Sequence, residues 1–391
     1  MKVALFSNYL NHHQLAFCQA MDRLTDHQFL FVAFTPTPGF RRKLGYQEMN
    51  DSYPFVLKAY ESREKYVEAL AVALKYDVMI IGSAPETFVK QRMTRNLLTL
   101  RYSERLYRDT VLRAFSPRGM VHRYRDHTRY RRQNIYLLCA SAYTAFDFML
   151  SGAYIGKTYK WGYFPRMLMY DPDVLQRKKQ PRSILWAGRL IGLKHPEQAL
   201  DAAERLKRDG VSFEMSIIGS GEMEAGQRQA IADRGLGGLV HMKGNMAPDE
   251  VRMHMEQAEV FLFTSDFQEG WGAVLNEAMN SGCAVIASHA IGSVPFMIRD
   301  GENGLIYRNG DTDQLYSHIR RLLENPEERE RLGRAAYRTI IGQWNADTAA
   351  ERVLALAADL KQDGKCDRYA DGPCSRAKII GNKWYRKQKS R

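Results

Sequence analysis

Two glutamates eight positions apart could hold the two ends of one extended polar ligand. Glu269 and Glu277 lie in the segment 265–282, which directly follows the apolar run Val260–Thr264. If that run is a strand, Glu269 lies in the loop at its carboxyl end, where α/β sheets bind ligands. Glu277 then lies in the following helix, and eight helical residues span about 12 Å. Taken alone, such a pair of acids is far more typical of a solvated surface.

The backbone beside these glutamates suits an anionic ligand. Gly270 and Gly272 flank Trp271 and allow the main chain an unusual turn and a close approach to a ligand. The predicted helix begins near Ala273, so its positive end points toward the same place. The segment therefore predicts an anion site at a strand end.

Two cations follow the first predicted strand of the same half, 183–187. They are Arg189 and Lys194. Fixed positive charges at this edge of a sheet can neutralise the charge that builds on a phosphate group when a bond to it breaks. An arginine and a lysine near a strand end are otherwise ordinary surface residues.

These segments resemble the Glu-x7-Glu region of the retaining GT-B glycosyltransferases of the large group 1 family. The resemblance covers about residues 182–345 and extends through 283–288 and 301–305. It implies that Glu269 contacts hydroxyls of the donor sugar and that Glu277 holds the ribose of the nucleotide.

The resemblance also implies roles for the neighbouring loops. Arg189 and Lys194 match the family's Arg and Lys, five residues apart, and would act as the electrophiles with no cofactor and no metal ion. The other residues expected to bind the donor, some through backbone groups, are Gly188, Gly219, Gly244, Asn245, Gly270, Trp271, Gly272 and Ala273.

Two departures from the family pattern affect the site. Where relatives have Pro-Glu after the glycine-containing turn, this chain has Pro295-Phe296, which puts a donor contact and the sugar preference in question. Neither His122 nor His127 matches the histidine that many relatives present in the first domain. A front-side mechanism, which the resemblance implies, needs no strong protein base because the departing phosphate accepts the acceptor's proton.

The first half supplies three candidates for contact with the acceptor or the donor phosphates. His12 and His13 follow the predicted strand 3–6, and Glu86 follows the predicted strand 77–82. By position both turns should face the cleft between two domains. A structural role, such as starting a helix at Glu86, is the alternative for each.

The elements that must position these residues alternate between strand and helix. The predicted strands lie at 3–6, 29–34, 77–82, 135–139, 183–187, 213–218, 239–243, 260–264 and 284–288. Helices are expected near 15–24, 64–74, 90–132, 196–208, 222–234, 248–257, 273–281, 312–324, 327–342 and 346–361. The alternation predicts an α/β fold with doubly wound parallel sheets.

A chain of 391 residues has room for two cores. We expect the GT-B arrangement of two Rossmann-like domains facing a central cleft. The expected parts are an N-terminal acceptor-binding domain at 1–170, a linker at 171–182, a C-terminal nucleotide-sugar-binding domain at 183–345, and a helix and basic tail at 346–391 that cross back to the N-terminal domain.

The net charge of +13 is unevenly distributed. Residues 90–132 contain thirteen Lys or Arg against three acids, and smaller basic clusters lie at 41–43 and 383–391. Such concentration favours an anionic partner: membrane phospholipid, a phosphate-bearing acceptor or nucleic acid. We prefer an anionic membrane surface for 90–132, with a solvated helical face as the alternative.

No apolar run approaches the roughly 18–20 residues that cross a bilayer, and the N-terminal apolar stretch is too short for a signal peptide. We therefore expect a cytoplasmic protein, peripheral on the inner face of the plasma membrane. The absence of Gly-x-Gly-x-x-Gly after the first strand argues against a Rossmann dehydrogenase.

The preferred function is sugar transfer from a nucleoside diphosphate donor, a UDP-sugar by family frequency, to a saccharide or lipid-linked acceptor with retention, in cell-surface polysaccharide synthesis. A nucleotide-sugar epimerase or a phosphorylase on the same fold is one alternative, although its own acid and base or Schiff-base lysine cannot be located. A nucleic-acid-binding protein that uses the basic patch is another, although no recognised binding module is present.

Overall fold

The computed structural model describes residues 1–39 and 48–385. They divide into two compact units, one formed by residues 1–166 with 345–381 and the other by residues 167–344 with the segment that begins at Asn382. The basic cluster 41–43 and the tail residues Arg386, Lys387, Lys389 and Arg391 lie outside the described residues.

A parallel sheet of seven described strands forms the centre of the first unit. In chain order they are Val3–Ser7 (β1), Phe29–Ala33 (β2), Val56–Lys58 (β3), Val78–Ile81 (β4), Thr99–Ser103 (β5), Ile135–Cys139 (β6) and Thr158–Lys160 (β7). They lie side by side in the order β3-β2-β1-β4-β5-β6-β7. The direction of the order reverses between β1 and β4, and ligands bind at such a switch point, outside the carboxyl ends of the strands.

Helices connect these strands. They are His12–Leu24, Arg63–Lys75, Glu86–Thr94, Pro117–Asp126, Thr144–Met149 and Ala346–Asp363, with short 3-10 turns at Val111–Phe115 and Thr128–Tyr130. The side chain of Asn11 caps the first helix by accepting a hydrogen bond from the His13 N–H at 3.0 Å. The helix Ala346–Asp363 packs against this first helix, so a late part of the chain belongs to the first unit.

The second unit contains a parallel sheet of six described strands. They are Ser183–Ala187 (β8), Glu214–Ile218 (β9), Val240–Gly244 (β10), Val260–Phe263 (β11), Ala284–Ser288 (β12) and Leu305–Tyr307 (β13). Their order is β10-β9-β8-β11-β12-β13, with the switch point between β8 and β11. Every residue of β11 and β12 is buried, as expected for parallel strands that helices cover on both faces.

The helices of the second unit are Pro172–Arg177, Glu197–Arg208, Glu224–Asp233, Pro248–Gln257, Val274–Asn280, Val294–Met297, Thr312–Glu324 and Pro326–Gly342, with a 3-10 turn at Gly192–Lys194. The segment 171–182, predicted as a linker, contains the first of these helices and lies within this unit. Among the described residues, no helix has the length and apolarity to cross a bilayer.

The prediction of an α/β fold with two doubly wound parallel sheets is confirmed. The prediction that 90–132 is helical is wrong for β5, a central strand of the first sheet. Arg101 on this strand is buried because its guanidinium pairs with the carboxylate of Glu86. A charged residue inside a strand does not follow the apolar pattern of a buried strand, so the sequence resembles a helix with a polar face.

Candidate functional site

The loops that follow β8 and β11 flank the switch point of the second sheet. β8 and β11 are parallel neighbours, so their carboxyl ends lie at the same edge. Arg189 and Lys194 follow β8, and Glu269 follows β11. The two loops that carry these three residues therefore begin at neighbouring strand ends.

Lys194 and Glu269 form an ion pair across these two loops. Each side chain is 14% exposed, so the pair is shielded from solvent yet still accessible. An ammonium group has three N–H donors, and Lys194 can therefore hold Glu269 and donate to another oxygen at the same time.

Hydrogen bonds fix the loop after β8 against the loop after β11. The Thr264 hydroxyl donates to the carbonyl oxygen of Lys194 at 2.6 Å and accepts from Trp186 Nε1 at 2.9 Å. The Asp266 N–H donates to the carbonyl oxygen of Leu193 at 3.0 Å. Because Thr264 is fully buried, its hydroxyl holds the backbone at Lys194 without competition from water.

His195 adds charged contacts between the same loops. Its Nε2 lies 3.2 Å from Asp266 Oδ2 and its Nδ1 lies 2.7 Å from Glu197 Oε1. Hydrogen bonds to Asp266 and then Glu197 raise the pKa of His195 to about 9, so the imidazole is protonated at neutral pH. Its left-handed backbone, with φ of 48°, turns the chain from Lys194 into the helix Glu197–Arg208.

The loops after β8 and β9 approach so closely that Gly219 cannot carry a side chain. Its φ is 134°, and a Cβ there would lie well under 3.0 Å from the carbonyl oxygen of Gly188, a separation that real Cβ atoms do not show. The Gly219 N–H donates to the carbonyl oxygen of Gly244 at 2.7 Å. Gly244 has φ of 73° but open space around its Cβ position, and the adjacent Asn245 is exposed.

Trp271 anchors the glutamate loop in an aromatic cluster. Its ring is fully buried, and its Nε1 donates to Asn276 Oδ1 at 2.9 Å. The ring centroid lies 5.6 Å from Trp344 and 6.4 Å from Phe296. A ligand therefore cannot reach the Trp271 ring, and Phe296 is a core ring at the position where the family resemblance calls for a carboxylate.

The other three predicted residues of this loop surround the same tryptophan. Gly270 and Ala273 are buried, whereas Gly272 is partly exposed and has φ of 79°. The backbone from Gly270 to Ala273 is thus packed onto the domain, and Gly272 is the position among these three where it reaches solvent.

Neither Glu277 nor Arg189 forms an ion pair with Lys194 or Glu269. Glu277 lies half-buried on the helix Val274–Asn280. Burial raises the pKa of its carboxyl group, and the nearby charge of Arg252 offsets only part of that increase. Arg189 is exposed, and its guanidinium forms no ion pair with any residue in 1–39 or 48–385. A direct ion pair thus joins two of the four charged side chains predicted to converge, and the convergence of all four stays a prediction.

In the first unit, His12 and His13 lie just beyond β1, beside that sheet's switch point. Their ring centroids are 3.7 Å apart. His13 lines a small cavity together with Gln14, Tyr102 and Tyr163. Gln14 Nε2 donates to the Tyr102 hydroxyl at 2.7 Å, and the Tyr163 ring stacks on His13 at 5.7 Å. This cavity combines aromatic faces with polar groups.

Glu86 begins the helix Glu86–Thr94, and its carboxylate pairs with Arg101. Arg101 Nη1 lies 2.9 Å from His127 Nδ1. Burial, and then the charge of Arg101, hold the pKa of His127 far below its usual value, so this imidazole is neutral. Glu86 therefore belongs to a structural network within the first unit.

Sequence reasoning missed Thr264, His195 and Asp266, which hold the two loops of the site together. His195 and Asp266 carry opposite charges just beyond β8 and β11, and this was the available signal for a contact between them. No group of three His, Cys, Asp or Glu side chains in the described part of the chain is arranged to hold a metal ion.

Comparison with known proteins identifies the domain that carries this site. Residues 171–339 match the model of the family described as glycosyl transferases group 1. The match covers less than half of the chain, and it shows that this stretch, the group 1 domain, is similar to the group 1 glycosyltransferases. The group 1 domain includes Arg189, Lys194, Glu269 and Glu277.

Two curated relatives resemble this chain mainly in that region. The amylovoran biosynthesis glycosyltransferase AmsK of Erwinia amylovora is 34% identical over 148 residues, which cover 37% of this chain and 36% of AmsK. The lipopolysaccharide core biosynthesis glycosyltransferase LpsE of Rhizobium meliloti is 27% identical over 193 residues, covering 49% and 54%. The chain thus spans less than two thirds of the length of either relative.

A solved structure extends the likeness beyond the group 1 domain. The crystal structure of Anabaena HepE in complex with UDP covers 92% of this chain and 100% of its own, with a TM-score of 0.67 and 14% identity. At that identity the likeness shows the fold, which is the GT-B fold of two Rossmann-like units.

Proposed function

We propose that the chain is a glycosyltransferase that moves a sugar from a UDP-sugar to a saccharide or lipid-linked acceptor with retention of the anomeric configuration. The Lys194–Glu269 ion pair at the switch point carries this proposal. A sugar diphosphate needs a cation beside its phosphates and a hydrogen-bond acceptor beside its sugar hydroxyls, and this pair supplies both. The group 1 match and the UDP complex of HepE support the donor class. The names of AmsK and LpsE support a role in cell-surface polysaccharide synthesis.

In this reaction the bond between the anomeric carbon and the phosphate oxygen breaks while the acceptor hydroxyl oxygen bonds to the same face of that carbon. The acceptor's proton passes to the departing phosphate, and negative charge grows on the diphosphate. Lys194 and Arg189 would stabilise that charge, so the proposal requires no metal ion. Arg189 is exposed and lacks an ion pair within the described chain, which leaves its guanidinium available for a phosphate.

We assign Glu269 to the donor sugar and Glu277 to the ribose. Lys194 holds the Glu269 carboxylate before the donor binds, which reduces the entropy lost on binding. Glu277 is half-buried, and two ribose hydroxyls can supply hydrogen bonds that its carboxylate lacks from water. The backbones of Gly188, Gly219, Gly244 and the loop at Gly272 would contact the nucleotide.

We assign the acceptor to the first unit, near His13 and the cavity that it shares with Tyr102 and Tyr163. Tyrosine rings and amide groups together suit a saccharide, which has apolar faces and a hydroxyl rim. Glu86 is engaged with Arg101, so we assign it to the stability of the unit and not to the reaction.

Differential scanning fluorimetry with UDP, GDP, ADP and their sugars tests the donor class. A ligand that binds only the folded state at 100 times its Kd stabilises it by about 2.7 kcal/mol. We expect Glu277→Ala to abolish the shift given by UDP, and Glu269→Ala to lower turnover more than nucleotide affinity. Glu327→Gln, at an exposed position on another helix, is the matched control and should behave as wild type.

A nucleotide shift that survives in Glu277→Ala, or unchanged turnover in Glu269→Ala, would contradict the assigned roles. Product analysis separates the alternatives: an epimerase converts the donor without an acceptor, and a phosphorylase consumes inorganic phosphate. NMR of the new glycosidic bond reports retention, and full activity in excess EDTA is expected because cations of the chain act on the diphosphate.

A further inference from the structure

Apolar side chains are concentrated on the surface of the first unit between residues 106 and 124. Of the fourteen large hydrophobic residues that are exposed in the described chain, six lie here: Leu106, Leu112, Phe115, Met120, Val121 and Tyr124. The last five, which we call the apolar ridge, are 55% to 73% exposed. Such a concentration of apolar surface marks a contact with a partner or a membrane.

The helix Pro117–Asp126 is oriented opposite to an ordinary surface helix. Its two buried residues, Arg123 and Asp126, are charged, whereas its exposed face carries Val121 and Tyr124. An amphipathic helix normally packs its apolar face on the core. The apolar face of this helix is therefore exposed and can contact an apolar partner or the interior of a membrane.

Specific contacts hold the charged face inward. The Arg123 guanidinium donates to the carbonyl oxygen of Ala114 and lies 5.5 Å from the centre of the Tyr107 ring. Asp126 is buried as well, but its partners Arg125 and His122 lie on the same helix, so Arg123 supplies the contacts to the rest of the unit. The outward orientation of the ridge thus has a structural cause in the folded chain.

Arginines surround the ridge. Residues 106–132 contain eight arginines and two aspartates. Arg118 is exposed and has no ion pair with any described residue. Arg113 pairs with Asp109 at 3.0 Å, and both side chains are exposed, where such pairs are weak. These guanidinium groups can therefore bind external anions.

The basic surface within 90–132 is smaller than the sequence predicts, because several of its arginines are buried. Arg92, Arg101, Arg105 and Arg123 are buried and serve the interior of the unit. Arg92, for example, donates to the carbonyl oxygens of Tyr76 and Asp77. Apart from Lys90 and Arg95, the exposed cations of 90–132 lie in the segment 106–132, which contains the apolar ridge.

We propose that the apolar ridge and its arginines dock this protein on an anionic lipid bilayer, with Leu112, Phe115 and Val121 among the acyl chains and the guanidinium groups at the lipid phosphates. Interfacial segments combine an apolar face with flanking cations in this way. A nucleic acid would engage the arginines but leave the aliphatic side chains in water. The attachment is independent of sugar transfer, and it would bring the first unit to a lipid-linked acceptor.

Vesicle co-sedimentation of the full chain tests this surface. We expect binding to vesicles that contain phosphatidylglycerol and little binding to pure phosphatidylcholine. The double substitution Phe115→Asp with Val121→Asp should weaken binding about tenfold or more. Arg113→Gln with Arg118→Gln should weaken binding and reduce its salt dependence. Val67→Asp, at a residue that is 56% exposed on another helix, is the matched control and should bind as wild type.

All these side chains are exposed, so each variant should unfold at the wild-type temperature, which separates docking from folding. Turnover on a soluble acceptor should be unchanged in the ridge variant, so failure of the proposed function would leave the vesicle result intact. Wild-type vesicle binding in the Phe115→Asp, Val121→Asp variant overturns the proposal. So does a lipid-free dimer that this variant abolishes, or nucleic-acid binding without vesicle binding.

Discussion

Replacing Gly219 with alanine should separate the loops that follow β8 and β9. The native φ of 134° lies in a region that side-chain-bearing residues avoid, at a cost of about 1–3 kcal/mol. The added Cβ would also overlap the carbonyl oxygen of Gly188, and relieving such overlap costs a further 1–3 kcal/mol or so. We therefore expect Gly219→Ala to lower the free energy of unfolding by about 2–6 kcal/mol.

The displaced loop matters for function because Gly188 immediately precedes Arg189. A shift of the Gly188 carbonyl moves the backbone that carries this cation, so we expect the variant to lose the UDP thermal shift and turnover together. Urea unfolding with linear extrapolation measures the stability, and fluorimetry with UDP measures the binding.

Gly244→Ala is the matched control for this substitution. Its φ of 73° carries a backbone cost of about 1–2 kcal/mol, but no atom lies within 4 Å of the Cβ position. Equal destabilisation by Gly219→Ala and Gly244→Ala would refute the steric reasoning, because backbone conformation alone would then explain both. Unchanged UDP binding in Gly219→Ala would show that the two loops move without affecting the site.

Two further changes test how the loops are held together. Thr264→Val removes the hydroxyl that serves Trp186 and Lys194, leaving two buried groups unpaired, so we expect a loss of about 2–4 kcal/mol in urea unfolding and a lower turnover that Thr264→Ser restores. His195 has a raised pKa of about 9, so its contribution is complete below pH 6.5 and is lost as the pH rises through 9. The His195 side chain is 29% exposed, so solvent screening reduces this contribution. Between pH 6 and pH 10 we expect the free energy of unfolding of the wild type to fall by about 2 kcal/mol more than that of His195→Gln. Equal dependence of the unfolding free energy on pH in the two proteins would contradict the ion pair to Asp266.

The fold of the second unit could be predicted closely because its strands are short, continuous apolar runs followed by glycine or polar turns. Residues 260–264 and 284–288 were predicted as strands, and β11 and β12 occupy 260–263 and 284–288. Parallel strands covered on both faces need no alternation, so apolar runs reveal them directly. Strand β13 was missed because its three residues are too few to form a pattern.

In the first unit, the prediction from sequence failed where charged side chains are buried. Arg92 and Arg101 were assigned to a basic surface because arginines are usually exposed. Arg101 is buried by its partner Glu86, which precedes it by fifteen residues. Arg92 is buried by carbonyl oxygens from two separate segments, at Ala73 and Tyr76 and at Leu98. Such partners are decided by packing of the sheet, which local spacing does not encode.

In the candidate site, too, the sequence predicts which residues follow strand ends but not which side chains contact each other. Chain order and strand ends were enough to place Lys194 and Glu269 at one edge, because both follow strands that flank the switch point. The direct pairing of their charges depends on Thr264, which clamps the Lys194 backbone from inside the sheet. A threonine at the end of an apolar run is usually a good strand residue and nothing more, so its second role emerges only when β8 and β11 are neighbours.

Phe296 explains why a departure from the family pattern leaves the Glu269 loop in place. A carboxylate at this position would have to be buried near Trp271 and Trp344, at a cost that an aromatic ring avoids. The ring instead stacks on Trp344 with planes 12° apart and adds apolar packing around Trp271, whose Nε1 is satisfied by Asn276. The loop that carries Glu269 is therefore anchored by apolar contacts around Trp271.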